Sequence, residues 1–165
     1  MTRYKRPWDS SVIRKRCEAY AGVALAEMER SKCVAESFLT HADPRMRATA
    51  IAVLYHKWRE TKTLASLCEQ VAIEDADPEV RSIALIVLGS MFAQSRSTKL
   101  AALFGRIVHQ EQDPKEVRFI AYRGLLLLFD IPFLVNRRRL DALTSGAGFD
   151  EIDWQLIKTL VIAEQ

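Results

Sequence analysis

An aspartate–proline pair recurs three times along the chain, and this repeat constrains the fold more than any other feature. The pairs are Asp43-Pro44, Asp77-Pro78 and Asp113-Pro114, at spacings of 34 and 36 residues. A period between roughly 20 and 50 residues is typical of supersecondary units that stack on one another. The sequence therefore predicts an array of similar units.

Each pair opens an apolar pattern of helical period. When the copies are aligned on Arg47, Arg81 and Arg118, an alanine follows three residues later and a leucine seven residues later in every copy. Steps of three and four place these side chains on one face of a helix. The third copy has one extra residue between proline and arginine. Two degenerate copies, near Arg16 and after Asp150, flank the three good ones.

The residue types at the start of each copy predict how its helix begins. Aspartate is a favoured N-cap, and proline suits the first helical position because it lacks only an amide that has no partner there. The early arginine opposes the helix dipole. Its recurrence therefore predicts a fixed acidic partner, which the sequence offers in Asp43, Asp77 or Asp75, in the same or a neighbouring copy.

The pattern predicts an all-α chain that forms a single domain over residues 1–165. No Asn-Gly or Asp-Gly pair separates alternating runs, as a β-hairpin would require. Gly22, Gly89 and Gly124 lie inside helical patterns, where close approach of two helices would justify them. The predicted helices span 9–30, 32–41, 44–59, 61–74, 78–94, 97–111, 114–130 and 133–145, with a last helix after Asp150, which is expected to cap it.

The second copy, Asp75-Ala-Asp-Pro-Glu-Val-Arg-Ser-Ile-Ala-Leu-Ile-Val-Leu88, resembles HEAT repeats, especially the short HEAT-like type of the phycobilisome lyases. The resemblance covers about residues 31–130 well and both ends loosely. It implies an α-solenoid of four to five helix pairs. In that family the recurring aspartate and arginine build a structural ladder, which the resemblance carries onto Asp43, Arg47, Asp77, Arg81, Asp113 and Arg118.

Charge and cysteine content predict a cytoplasmic protein. The basic first residues are not followed by an apolar segment of the kind that directs secretion, and no apolar run is long enough to cross a bilayer. Cys17, Cys33 and Cys68 lack the spacing of a metal site and are interpreted as buried free thiols.

No catalytic motif is apparent, so the chain is predicted to be a non-enzyme that uses no metal or cofactor. His41, His56 and His109 stand apart, without the His-Glu pairs of HEAT-repeat hydroxylases. The sequence contains neither a nucleophile elbow nor a phosphate-binding loop.

One face of the second helices is predicted to form a concave groove that binds another protein or a peptide. Positions one, five and eight after each repeat arginine share a face outside the core stripe, and two arginines extend it in the first copy. Aromatic residues and arginine dominate interface hot spots. The alternative is that these side chains pack between helices. The groove residues are Arg45, Tyr55, Arg59, Phe119 and Arg123.

The aromatic side chains suggest one further place for a partner. The segment Tyr55–Arg59 is the densest mixture of aromatic and basic residues in the chain. Trp8, Trp58 and Trp154 are interpreted as covers over the core rather than as ligand-stacking side chains.

These observations predict a non-catalytic interaction module that serves as an adaptor, a scaffold or an inhibitor of a partner. The net charge is only +3. The main alternative is a protein that binds the nucleic-acid backbone through basic clusters near its two ends. A third, an accessory to a chromophore lyase, follows only from the repeat type. The residues of the nucleic-acid alternative are Arg3, Lys5, Arg6, Arg137, Arg138 and Arg139.

Overall fold

The structure, a computed structural model, describes Glu18, residues 21–131 and residues 152–162. Over these residues it contains eight α-helices, one short 3-10 helix and no strand. The all-α prediction is therefore confirmed for this part of the chain. The helices are α1 Val23–Arg30, α2 Lys32–Ser37, the 3-10 helix Phe38–Thr40, α3 Pro44–His56, α4 Lys62–Glu74, α5 Pro78–Met91, α6 Thr98–His109, α7 Lys115–Leu128 and α8 Trp154–Ile162.

Several helices are shorter than the periodic pattern predicted. The helix predicted over 44–59 ends at His56, and the one predicted over 78–94 ends at Met91. Arg59 and Gln94 have φ angles of 54° and 65°, in the left-handed region that a right-handed helix does not use. The apolar pattern therefore extends past the point at which the backbone turns away.

Two predicted helices fall wholly or partly outside the described residues. The predicted helix 133–145 lies outside the described residues, and of the helix predicted over 9–30 the described part includes α1. The last helix begins later than predicted, because Asp153 provides the cap. Its carboxylate oxygen Oδ1 accepts a hydrogen bond from the amide of Leu156 at 2.9 Å.

The helices differ in how completely they are buried. Residues 48–55 of α3 are buried without interruption, as are residues 121–126 of α7. A helix that is apolar and buried on every side belongs to the interior. By contrast, α4 is amphipathic and exposes residues at helical spacing from Lys62 to Glu74. The helices α3 and α7 therefore contribute mainly to the interior, whereas α4 has one exposed face.

The chain divides into two compact units after Val87, within α5. The first unit contains α1 to α4 and most of α5. The second contains the end of α5 together with α6, α7 and α8. A single domain over residues 1–165 remains a prediction.

Of the three glycines predicted to lie inside helices, Gly89 and Gly124 lie where helices approach closely in the second unit. A Cβ atom at Gly89 would lie 3.2 Å from the Cα of Gly124, and one at Gly124 would lie 2.9 Å from the Phe104 ring. Gly22 has another role, because its φ of 47° places it in a turn before α1 rather than inside a helix.

The cysteines only partly match their interpretation. Cys68 is a buried free thiol, and burial raises its pKa to about 12. Cys33 is free but exposed, so its predicted burial is wrong. Cys17 lies outside the described residues. Within the described ranges, no helix combines the length and apolar character needed to cross a membrane.

Candidate protein-binding surface

The repeat aspartates cap helices in the first two copies. Oδ1 of Asp43 accepts from the amide of Arg45 at 2.9 Å, and Oδ1 of Asp77 accepts from the amide of Glu79, also at 2.9 Å. Pro44 and Pro78 are the first residues of their helices, as predicted. These bonds satisfy amides that have no partner within the helix.

The third copy begins differently. Pro114 precedes α7 instead of beginning it, and the helix starts at Lys115, the extra residue of this copy. Asp113 is buried, with 8% of its surface exposed. The prediction of proline at the first helical position is therefore wrong here, because the insertion moves the start of the helix by one residue.

The repeat arginines share a contact that the sequence did not predict. Nε of Arg81 donates to the carbonyl of Ala72 at 2.9 Å, and Nε of Arg118 donates to that of Val108 at 2.8 Å. Both carbonyls lie near the carboxyl end of the preceding helix, where the last carbonyls have no intrahelical partner. The arginine therefore opposes the dipole of its own helix but complements that of the helix before it.

Arg47 makes the corresponding contact to a loop and adds an ion pair. Its Nη1 donates to the carbonyl of His41 at 2.8 Å. Its Nε and Nη2 donate to the two oxygens of Asp75 at 2.9 and 2.8 Å, in a bidentate pair whose side chains are 18% and 10% exposed. Asp75 also accepts from the amide of Asp77 at 2.9 Å. The pair thus ties the turn before α3 to the turn before α5.

The electrostatics of Asp75 follow from these contacts. Burial by itself would raise its pKa, but the hydrogen bonds from Arg47 and from the Asp77 amide lower it below the ordinary value. An acidic partner for Arg47 was predicted, and Asp75 was one of three candidates. The other two, Asp43 and Asp77, cap helices through their side chains.

The five predicted groove residues do not form one exposed set. Tyr55, Phe119 and Arg123 are 8%, 1% and 5% exposed, so they lie in the interior. Burial lowers the pKa of Arg123 to about 10. Arg45 and Arg59 are exposed but lie at opposite ends of α3, about 20 Å apart for a helix of this length. Among the five, packing between helices is thus the better interpretation for the three buried ones.

The end of α3 opposite Arg45 carries an exposed basic cluster around Trp58. Lys57 and Arg59 flank Trp58 in the chain, and both are exposed. The indole Nε1 of Trp58 donates to the carbonyl of Met28 at 3.0 Å, which brings the end of α1 and its Arg30 beside this turn. We call this cluster the Trp58 surface; its members are Arg30, Lys32, Lys57, Trp58, Arg59 and Lys62.

A second contact joins α2 and α4 to the same surface. Nζ of Lys32 donates to Glu60 at 2.6 Å, and the hydroxyl of Thr63, in the first turn of α4, donates to Glu60 at 3.0 Å. These hydrogen bonds, that from Lys32 first, lower the pKa of Glu60 to about 2. Glu60 is therefore a fixed negative charge that compensates Lys32.

The remaining cations of the Trp58 surface are not compensated in this way. All four are exposed, and within the part of the chain that the structure describes they form no ion pair. Trp58 is half-buried. These cations are Arg30, Lys57, Arg59 and Lys62.

Sequence reasoning found half of this surface. The density of aromatic and basic residues in Tyr55–Arg59 indicated the end of α3. Arg30 was missed because it belongs to another helix, whose end the Trp58–Met28 contact brings near, and Lys62 was missed because it lies three residues beyond this segment, at the start of α4. The six arginines and lysines of the nucleic-acid alternative lie outside the described residues, as does Trp8.

Trp154 forms a different cluster in the second unit. Its ring lies 5.9 Å from the Arg118 guanidinium and 5.5 Å from the His109 ring, and it is 37% exposed. An open depression of about 460 Å³ lies beside His109. Cations and carboxylates are mixed along this depression, so its charge indicates no particular ligand. It is lined by Arg106, His109, Gln110, Glu111 and Gln112.

The histidines take part in local packing. Nδ1 of His41 accepts from the Asp43 amide at 3.0 Å, and the ring of His56 lies 4.8 Å from that of Tyr55. Among the residues that the structure describes, no three His, Cys, Asp or Glu side chains are grouped closely enough to hold a metal ion.

Comparison with known proteins adds no relative. No protein-family model, no curated protein and no solved structure matches the chain.

Proposed function

We propose that the chain is a non-catalytic protein–protein interaction module, acting in the cytoplasm as an adaptor, a scaffold or an inhibitor of its partner. The observation that carries the proposal is the Trp58 surface. It combines a half-buried tryptophan with four exposed cations that form no ion pair within the described residues, two of them next to the tryptophan in the chain. Tryptophan and arginine are enriched in the hot spots of protein interfaces.

The proposed scaffold is an α-solenoid of HEAT-like helix pairs. Its support is the contact that recurs in all three good copies, in which the repeat arginine donates to a carbonyl of the preceding helix or loop. The Arg47–Asp75 pair adds a link between successive turns of the first unit. A frame held in this way needs little ordering when a partner binds, which lowers the cost of association.

The place of binding differs from the predicted concave groove. Because the middle of α3 and of α7 is buried on every side, the proposal assigns the partner to the turns at the end of the helices. Of the five groove residues, Arg59 remains part of the proposed surface. Arg45 lies at the other end of α3 and is not part of the Trp58 surface.

The proposal is tested by affinity capture from a lysate of the source organism. The tagged full chain is used with and without nuclease treatment, and the recovered proteins are identified by mass spectrometry. We expect one protein in stoichiometric amount that survives the nuclease. Recovery that depends on nucleic acid would overturn the proposal in favour of backbone binding through the basic clusters.

A pair of variants shows whether the Trp58 surface is responsible. Arg59→Glu with Lys62→Glu reverses two charges on this surface. Arg106→Glu with Lys158→Glu makes the same chemical changes at exposed positions of the second unit. We expect the first variant to lose the partner and the second to retain it.

A further inference from the structure

We propose that the Trp58 surface binds an acidic segment of the partner protein, in which carboxylate side chains accompany an apolar one. This inference rests on the proposed function and adds the chemistry of the partner. Its basis is the four uncompensated cations, the glutamates Glu36 and Glu60 that pair with Lys32, and the half-buried Trp58.

The helix dipoles account for only part of the cluster. Arg30 ends α1, and Lys57 and Arg59 follow α3, so these cations lie where a helix dipole favours positive charge. Lys62 is the first residue of α4, where the dipole disfavours it. Lys32 has the same position in α2, but Glu60 compensates it. Stability of the helices therefore gives no reason for Lys62, whereas an anionic partner would.

The glutamates of the surface favour a protein over a nucleic acid. Glu60 and Glu36 both lie within ion-pair distance of Lys32, at 2.6 and 3.5 Å, so negative charges are interspersed among the cations. A nucleic-acid backbone presents closely and regularly spaced charges and needs a continuous positive stripe. An acidic peptide can place each carboxylate next to a cation and away from the glutamates.

Trp58 provides the apolar contact of the proposed site. Its indole nitrogen donates to the Met28 carbonyl, which orients the ring, and the residue is half-buried. A side chain such as leucine can pack on this ring while neighbouring carboxylates reach Lys57 and Arg59. Aromatic anchors surrounded by polar contacts are the usual form of an interface hot spot.

The experiment measures binding of defined probes to the full chain by fluorescence anisotropy. The probes are a labelled peptide in which glutamates alternate with leucines, the same peptide with glutamines, and a single-stranded oligothymidylate of equal net charge. We expect the glutamate peptide to bind about tenfold or more tightly than either control at physiological salt. Higher salt should weaken this binding, because the charges involved are exposed.

The matched variants assign the binding to the surface. Arg59→Glu with Lys62→Glu should lower the affinity for the glutamate peptide about tenfold or more. Arg106→Glu with Lys158→Glu should change this affinity less than about threefold. Circular dichroism and thermal unfolding establish that both variants are folded. Equal losses in the two variants would overturn the proposal, as would failure of the unaltered chain to prefer the glutamate peptide.

The outcome can be separated from that of the proposed function. If affinity capture yields a protein partner and the glutamate peptide does not bind, the proposal of an interaction module is supported and the proposal of an acidic partner segment is wrong. If the oligothymidylate binds more tightly than the peptide and capture depends on nucleic acid, both proposals are wrong.

Discussion

The turn before α5 and the turn before α7 begin the same repeat in two different ways. In the first, Pro78 is the first helical residue and Asp77 caps the amides of Glu79 and Val80, at 2.9 and 3.3 Å. In the second, Pro114 stays outside the helix. Each turn nevertheless keeps the bond from its arginine to the end of the preceding helix, at 2.9 and 2.8 Å.

This difference shows which part of the repeat motif carries the tertiary structure. The extra residue of the third copy changes the local start of the helix, and the loop absorbs it. The arginine contact is unchanged because it depends on where the two helices lie, not on the number of residues between proline and arginine. We therefore expect loss of an arginine contact to cost more than loss of a cap.

The largest effect is expected from Arg47→Met. The substitution leaves the carboxylate of Asp75 largely buried without its bidentate partner and removes the bond to the His41 carbonyl. We expect the free energy of unfolding to fall by about 2–4 kcal/mol, the lower end reflecting partial exposure of the pair. Urea unfolding measures it. Lys57→Gln, an exposed change just beyond the same helix, should alter it by less than about 0.5 kcal/mol, and an equal loss would contradict the prediction.

Acid should reduce the contribution of the Arg47–Asp75 pair to the free energy of unfolding. Because the pKa of Asp75 is lower in the folded than in the unfolded chain, its contribution is fully present above the unfolded value of about 4 and is lost as the pH falls through the folded value. The free energies of unfolding of the unaltered chain and of Asp75→Asn should therefore differ most near neutral pH and become equal in acid. The same comparison in the Arg47→Met background should depend less on pH. A difference that is constant with pH would contradict the assignment.

The smallest effect is expected from giving the turn before α5 the spacing of the turn before α7. A lysine inserted between Pro78 and Glu79 should remove the cap from Asp77 while Arg81 keeps its bond to Ala72. We expect the free energy of unfolding to fall by about 1 kcal/mol, the usual contribution of an N-cap. Asp77→Ala should cost about the same, and the two changes together should cost little more than either. A loss as large as that of Arg47→Met would mean that the arginine contact does depend on spacing.

Local features of the fold could be predicted from the sequence because their causes are local. The N-caps at Asp43 and Asp77, the prolines that begin α3 and α5, and the all-α class follow from residues a few positions apart. The ends of the helices were predicted less well. The left-handed residues Arg59 and Gln94 are not glycines, so no residue type marks these turns.

The candidate surface was only partly predictable because it is assembled from four helices. The pattern of Tyr55–Arg59 marked one end of α3, but Tyr55 itself is buried there. The groove prediction placed Phe119 on an exposed face, since periodicity distinguishes a core stripe from its opposite side only when one side meets solvent. In α7 both sides are covered.

The sequence by itself determined the helical class, the repeat and the way two of its copies begin, because period, capping and proline geometry act within one turn of a helix. Only the tertiary structure decided that Arg47 binds Asp75 instead of Asp43 or Asp77, and that the end of α1 meets the turn after α3 through the hydrogen bond from Trp58 to Met28. The physical reason is that ion pairs and surface charge depend on distance in space. Residues 28 or 30 positions apart reach that distance only when helices pack.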